Sequence, residues 1–254
     1  GGTTVNSDGV PTIQYYNYAQ DLVSGYAIHP DTYSQNPITA LAEQHRFIPL
    51  ETKISKGLDN EETLSRTVTQ FDWFPTNAQD ILEPKYVLTS KSNDLIEERR
   101  IEFIKYDENS NILEVSKTDG THIVYIWGYG DTQPIAKIEN ATYAQVLSHV
   151  PNLQTKSNTD THRSVDTIAE NGVKIYANDS EGNLREALDG LRDTLPNALV
   201  TTYTYDPLIG VTSMTDPRGS SVYYDYDGFN RLKHVKDQDG NILSKSDYKY
   251  RPQN

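Results

Sequence analysis

The sequence predicts a mainly β protein: an antiparallel ribbon of β-hairpins carrying two short inserted α-helices. Three observations predict it. Most apolar runs alternate with period two and are closed by turn residues. Tyrosine dominates the aromatics, 18 against 5 Phe, and its apolar ring with a polar tip suits half-exposed sheet faces. A Tyr-Asp dipeptide recurs with a glycine at a fixed distance behind it.

Residues 1–44 are rich in Gly, Asn, Ser, Asp, Pro and Tyr and hold no lasting period, so an irregular lead-in is expected, with a short helix near residues 38–44. Residues 45–139 are expected to be an antiparallel β region with one Tyr-Asp unit. "RFIPLETKIS", "LSRTVTQFDWF", "PKYVLTS" and "EERRIEFIKYD" each alternate. Lys56-Gly57, Asn60, Pro75-Thr76-Asn77 and Lys91-Ser92-Asn93-Asp94 separate them as turns. Thr69, Phe71 and Trp73 fall on one face; further on, Ile123, Tyr125, Trp127 and Tyr129 share another.

Residues 140–198 are expected to be a helical insertion with a polar linker. Tyr143, Val146, Leu147 and Val150 make a helix face, capped by Asn140 or Thr142 and ended by Pro151. A second helix is expected to start at Asn183, which has Glu186 at capping-box spacing. Leu184, Leu188, Leu191 and Leu195 form its apolar stripe and Pro196 stops it. Residues 199–254 return to strands, as two tandem repeat units.

The repeat is countable. Thirteen residues after Asp107, Asp206 and Asp227 stand Gly120, Gly219 and Gly240; of the four Tyr-Asp aspartates only Asp225 fails. Tyr203-x-Tyr205 recurs 21 residues later as Tyr224-x-Tyr226, and Asp216 as Asp237. The structural repeat positions are therefore Tyr106, Asp107, Gly120, Tyr205, Asp206, Gly219, Tyr226, Asp227 and Gly240. Tyrosines at i and i+2 share a strand face, Asp bonds turn backbone, and Gly accepts positive φ where the chain reverses. A two-strand unit buries no face alone and needs neighbours.

"YTYDPLIGVTSMTDPRG" and "YYDYDGFNRLKHVKDQDGN" resemble the YD repeat of Rhs-type proteins, Asn230-Arg231-Leu232 being close to the common Gly-Arg-Leu. Gly210-Val211-Thr212 departs from that pattern. Residues 125–143, "YIWGYGDTQPIAKIENATY", resemble a segment in the C-terminal portions of Rhs-like proteins of the Bacteroidetes group. The likeness covers residues 102–143 and 198–250, under half of the chain. It implies a coiling antiparallel ribbon, a partial shell or barrel, from an exported protein found outside the cell or at its surface. It implies a structural, non-enzymatic role, with other portions of the parent chain as partners. It also implies an outer-membrane secretion channel, of the type IX kind, as a transit partner. The alternatives are the shell of a toxin-delivery protein and a glycan-binding adhesin.

The remaining composition bounds function. A net charge of −13, from 23 basic and 36 acidic residues, disfavours nucleic acid and anionic lipid. The absence of cysteine excludes disulfides, thiol nucleophiles and thiolate zinc sites. No run of about 18 apolar residues spans a membrane. The start, Gly1-Gly2-Thr3-Thr4, reads as a fragment or a processed product of something longer.

No catalytic, metal or cofactor constellation emerges. Ser24 lacks the first glycine of a nucleophile elbow, and His29, His45, His122, His149, His162 and His234 show no short metal spacing. Glu61-Glu62 and Glu97-Glu98 point to opposite strand faces. Asp107-x-Asn109-x-Asn111 and Asp237-x-Asp239-Gly240-Asn241 mimic the start of a calcium loop, but Thr118 and Tyr248 stand where its last acid belongs. Gly128-Tyr129-Gly130 opens no helix. Residues 215–219, "TDPRG", resemble the segment near which some Rhs-like toxins self-cleave, and equally the ordinary turn of a repeat unit, which is the preferred reading.

Overall fold

The computed structural model describes residues 3–5, 10–23, 33–57, 61–92 and 96–249. Ser24, His29, Asn60, Asn93 and Asp94 of the sequence reading lie outside the described residues. The chain is mainly β and antiparallel, as the sequence predicts. It divides into two units, Gly1–Thr121 and His122–Asn254.

In the first unit, strands β1 (Thr3–Val5) and β2 (Pro11–Tyr18) precede helices α1 (Ala19–Leu22) and α2 (Pro37–Glu43). Strands β3 (Pro49–Lys56), β4 (Glu62–Phe74), β5 (Ile81–Lys91), β6 (Glu98–Tyr106) and β7 (Ile112–Lys117) follow. Each strand pairs antiparallel with the next along the chain. The expected irregular lead-in is thus corrected: β2 is an eight-residue strand laddered to β3. Its pattern is hidden because neighbouring Tyr15 and Tyr16 are both exposed, leaving no apolar face to read. α2 lies close to the expected helix. The Asn36 side chain accepts from the Ile38 and Thr39 amides, and Pro37 opens the first turn. It buries Ala40, Leu41 and Ala42 against Leu50, Phe71 and Leu82.

In the second unit, β8 (His122–Gly128) and β9 (Gln133–Glu139) lead to α3 (Tyr143–Val146) and α4 (Val150–Asn158). A two-stranded hairpin, β10 (Thr167–Ile168) and β11 (Lys174–Ile175), precedes α5 (Ser180–Thr194). Then come β12 (Leu199–Asp206), β13 (Gly210–Thr215), β14 (Ser221–Tyr226), β15 (Leu232–Asp237) and β16 (Ile242–Lys245). The sheet order is β8-β9-β12-β13-β14-β15-β16, with β12 pairing to β9 across the whole insertion.

Three sequence expectations are corrected here. Pro151 does not end a helix; it opens α4, where its missing N–H would be unpaired anyway, so the first expected helix is two, α3 and α4. Asn183 does not cap α5. Asp179 does, its carboxylate accepting from the Gly182 amide at 2.9 Å. Tyr129 leaves the face of Tyr125 and Trp127, because the chain turns there with φ at 51° and sends the ring into the core. That core joins Val124, Ile126 and Ile138 of the sheet to Leu184, Leu188 and Leu191 of α5. Leu195 packs at its margin.

Candidate functional site

The tyrosine of each Tyr-Asp unit does one repeated job. Its hydroxyl donates to a backbone carbonyl on the preceding strand of the sheet. Tyr106 reaches Pro84 at 2.8 Å in the first unit. In the second, Tyr205 reaches Pro134 at 3.0 Å and Tyr226 reaches Val211 at 2.8 Å. Tyr248, which sequence counting left out, makes the same bond to Leu232 at 2.9 Å. Val211 and Leu232 are themselves 21 residues apart. Tyr248 is 22 after Tyr226, the extra residue being taken up by an irregularity in the β15–β16 register. Burial pushes the Tyr205 hydroxyl up to about 12, so it stays a donor.

The same tyrosines set a bulge. Tyr106 pairs with Ile112, Tyr205 with Val211 and Tyr226 with Leu232, and the ladder then skips Leu113, Thr212 and Lys233. Trp127 pairs with Pro134 and skips Ile135 in the same manner. Bulges strengthen local twist and bend the strand.

The aspartate closes the turn. Asp107 Oδ1 accepts from the Asn109 and Asn111 amides, and Asp227 Oδ1 from those of Phe229 and Arg231. Asp206 accepts from the Leu208 amide. At the opposite ends of the hairpins Asp216 and Asp237 repeat this geometry on the amides two and four residues on. In the first unit Lys117 holds that place, and Asp119 serves the Thr121 amide instead. The fourth residue carries positive φ in all of these turns but that of Asp206: Ser110 and Asn230 at one end, Gly120, Gly219 and Gly240 at the other; after Asp206 it is the fifth residue, Gly210, that does. The thirteen-residue spacing is therefore two like turns ten residues apart, plus three to the left-handed position.

Gly128 shows what happens when the aspartate is missing. It stands 21 residues after Asp107, in the aspartate's place. The turn's free amides are taken by α4: Tyr129 N–H donates to Ser157 Oγ at 3.2 Å and Gly130 N–H to Asn158 Oδ1 at 2.7 Å. A Cβ on Gly128 would overlap the side chains of Ser157 and Ile135. The glycine is thus the seat of a helix.

A buried polar cluster fixes α5 to the sheet. Arg185 is bidentate to Asp166, at 2.8 Å and 2.7 Å, and 3.1 Å from Glu181. All three are within 2 % of full burial. Glu181 accepts from Thr204 at 2.8 Å and from Thr212. Burial alone would lower the Arg185 guanidinium, but Asp166 and Glu181 outweigh it and hold it raised. The Asp166 amide donates to the Tyr223 hydroxyl at 3.2 Å. Tyr129 donates to Asp160, which burial pushes upward, and accepts from the Tyr205 amide. Farther along α5, Arg192 donates to the Val200 and Asp216 carbonyls, and Lys174 to that of Gly219.

The sequence candidates for chemistry resolve as backbone work. The carboxylates of Asp107 and Asp237 bind turn amides, as does Asp216 within "TDPRG". Among the described residues no three His, Asp or Glu side chains gather as a metal set. Glu181, Arg185 and Asp166 were missed; the available signal was that positions 181, 185 and 192 place charges beside Leu184, Leu188 and Leu191 on the buried side of α5.

No family model matches the chain, and no curated protein matches it. Among solved structures it is weakly similar to the crystal structure of TcdB2-TccC3-TEV, at TM-score 0.25 and 11% identity, over 92% of this chain and 11% of that one. The Photorhabdus luminescens Tc holotoxin pore gives 0.25 and 11%, over 92% and 10%. The crystal structure of TcdB2-TccC3-Cdc42 gives 0.24 and 11%, over 92% and 11%. The chain spans about a tenth of the length of the solved chains it matches. Superpositions at that level do not establish a shared fold.

Proposed function

We propose that this chain is a non-catalytic structural portion of a large exported YD-repeat protein of the Rhs type, acting as a length of scaffold or shell wall. One observation carries the reading: the nine Tyr, Asp and Gly positions picked out by the thirteen-residue spacing are all engaged in holding backbone. Tyrosine hydroxyls sit on strand carbonyls, aspartates on turn amides and glycines at left-handed reversals. The partners in this reading are further portions of the parent chain, with an outer-membrane secretion channel during export. Among the described residues no helix is long and apolar enough to cross a membrane. Fractionation of cells carrying the tagged parent protein tests the proposal. Recovery outside the cytoplasm supports it; recovery only in the cytoplasm, in wild-type and secretion-deficient strains alike, rejects it.

A second reading, a glycan-binding surface, is favoured by one feature. Tyr125, Tyr203 and Tyr224 hold equivalent repeat positions and are half-buried. A glycan array probed with the folded chain separates the two.

A further inference from the structure

Four hairpins share the bulge that follows the latching position, and three obey one rule. Leu113, Ile135 and Thr212 at that bulge are buried, at 8%, 0% and 5% exposure. The fourth is Lys233, which is exposed and lines a cleft of about 240 Å³ where residues 163–165 pass over β13, β14 and β15. A lysine at a position that elsewhere holds a packed side chain breaks the local rule without a packing gain, and such exceptions concentrate at functional sites.

The charges around it are unbalanced. Arg163 also lines the cleft but is held by Asp206, its Nε at 3.0 Å. Asp225, the one carboxylate lining it, is held by Lys236 at 2.5 Å. His234 completes the basic wall, its Nδ1 3.9 Å from Asp225. The Lys233 ammonium has no ion pair among the described residues, in a chain of net charge −13. A cation without an ion pair on the wall of a cleft that Arg163 and His234 also line favours a negatively charged guest.

We infer that this cleft binds a small oxyanion, a phosphate or carboxylate group, with the Lys233 ammonium as its principal contact and Arg163 and His234 flanking it. The cleft holds the volume of about eight waters, enough for phosphate or a short carboxylate end group. The inference goes beyond the scaffold reading and does not depend on it.

The test is an amide NMR titration of the full chain with inorganic phosphate, with acetate, and with neutral glycerol, all at constant ionic strength. Saturable shifts at Ser164, Tyr224, Lys233 and His234, with a Kd on the order of 1 mM for phosphate or acetate and none for glycerol, are expected. Whichever anion binds more tightly identifies the group. Lys233→Ala should weaken binding at least about tenfold while Lys233→Arg retains it. No localised shift at about 50 mM of either anion overturns the inference, as do shifts of undiminished affinity in Lys233→Ala.

Discussion

The Tyr226 hydroxyl donates to the Val211 carbonyl at 2.8 Å, and Gly210, immediately before that carbonyl's residue, leaves the space it needs. A Cβ at Gly210 would sit 2.7 Å from the same hydroxyl, and Gly210 already carries φ of 150°. At this latch the tyrosine of β14 and the glycine of β13 are thus in close contact, whereas Arg231 stands at the equivalent place before Leu232.

Gly210→Ala should therefore destabilise by about 1–3 kcal/mol, from backbone strain and displacement of the Tyr226 ring. In a Tyr226→Phe background, where no hydroxyl remains to be displaced, part of that loss should vanish. Urea unfolding of both single variants and the double variant reads the coupling. Strictly additive losses would show that the glycine and the tyrosine act separately.

Gly240 has φ of 82° at the far turn. Gly240→Val should cost about 1–3 kcal/mol through the strained left-handed backbone alone, because nothing lies within 4 Å of a Cβ there. Gly240→Asn should be tolerated better. The measurement is the shift in urea midpoint of the pair.

Leu188 is fully buried between α5 and the sheet. Leu188→Ala should cost on the order of 2–5 kcal/mol. An unchanged melting temperature would mean that α5 contributes little to the unit.

Arg185 pairs with two buried carboxylates. Arg185→Met leaves Asp166 and Glu181 without their cation and should cost about 3–5 kcal/mol, seen as loss of unfolding free energy. Restoring Arg185 while neutralising Asp166 to Asn should cost less, because Glu181 still pairs the guanidinium at 3.1 Å.

The Asp227 carboxyl is held down to about 2, first by the Arg231 side chain, against an ordinary 3.8. Its folded value lies below its unfolded one. The stabilisation is therefore full above the ordinary value and disappears as pH falls towards about 2. NMR titration of this carboxyl should show the depression, and Arg231→Ala should move it back up.

Parts of the fold were legible because they rest on side-chain identity. Leu184, Leu188 and Leu191 name their helix, and the recurring Asp and Gly name the turns. What was hidden depends on partners without identity. A backbone carbonyl such as Val211's leaves no trace in sequence, so the role of the repeat tyrosine could be stated only as face packing. Pro151 is read as a stop or a start depending on a neighbour in space. Thr202, Thr204, Ser213 and Thr215 are polar yet buried, and α5 meets them with polar groups: Glu181 accepts from Thr204 and Arg192 donates to the Thr215 carbonyl. The seat at Gly128 was visible only as a missing aspartate at the repeat interval.

The most direct test of the repeated latch is urea unfolding of Tyr226→Phe beside Tyr224→Phe. The two tyrosines are two residues apart on β14, but only Tyr226 has its hydroxyl on a strand carbonyl. The account predicts a loss of about 0.5–1.5 kcal/mol for Tyr226→Phe and a change within about 0.5 kcal/mol for Tyr224→Phe. Equal effects at the two positions would contradict it.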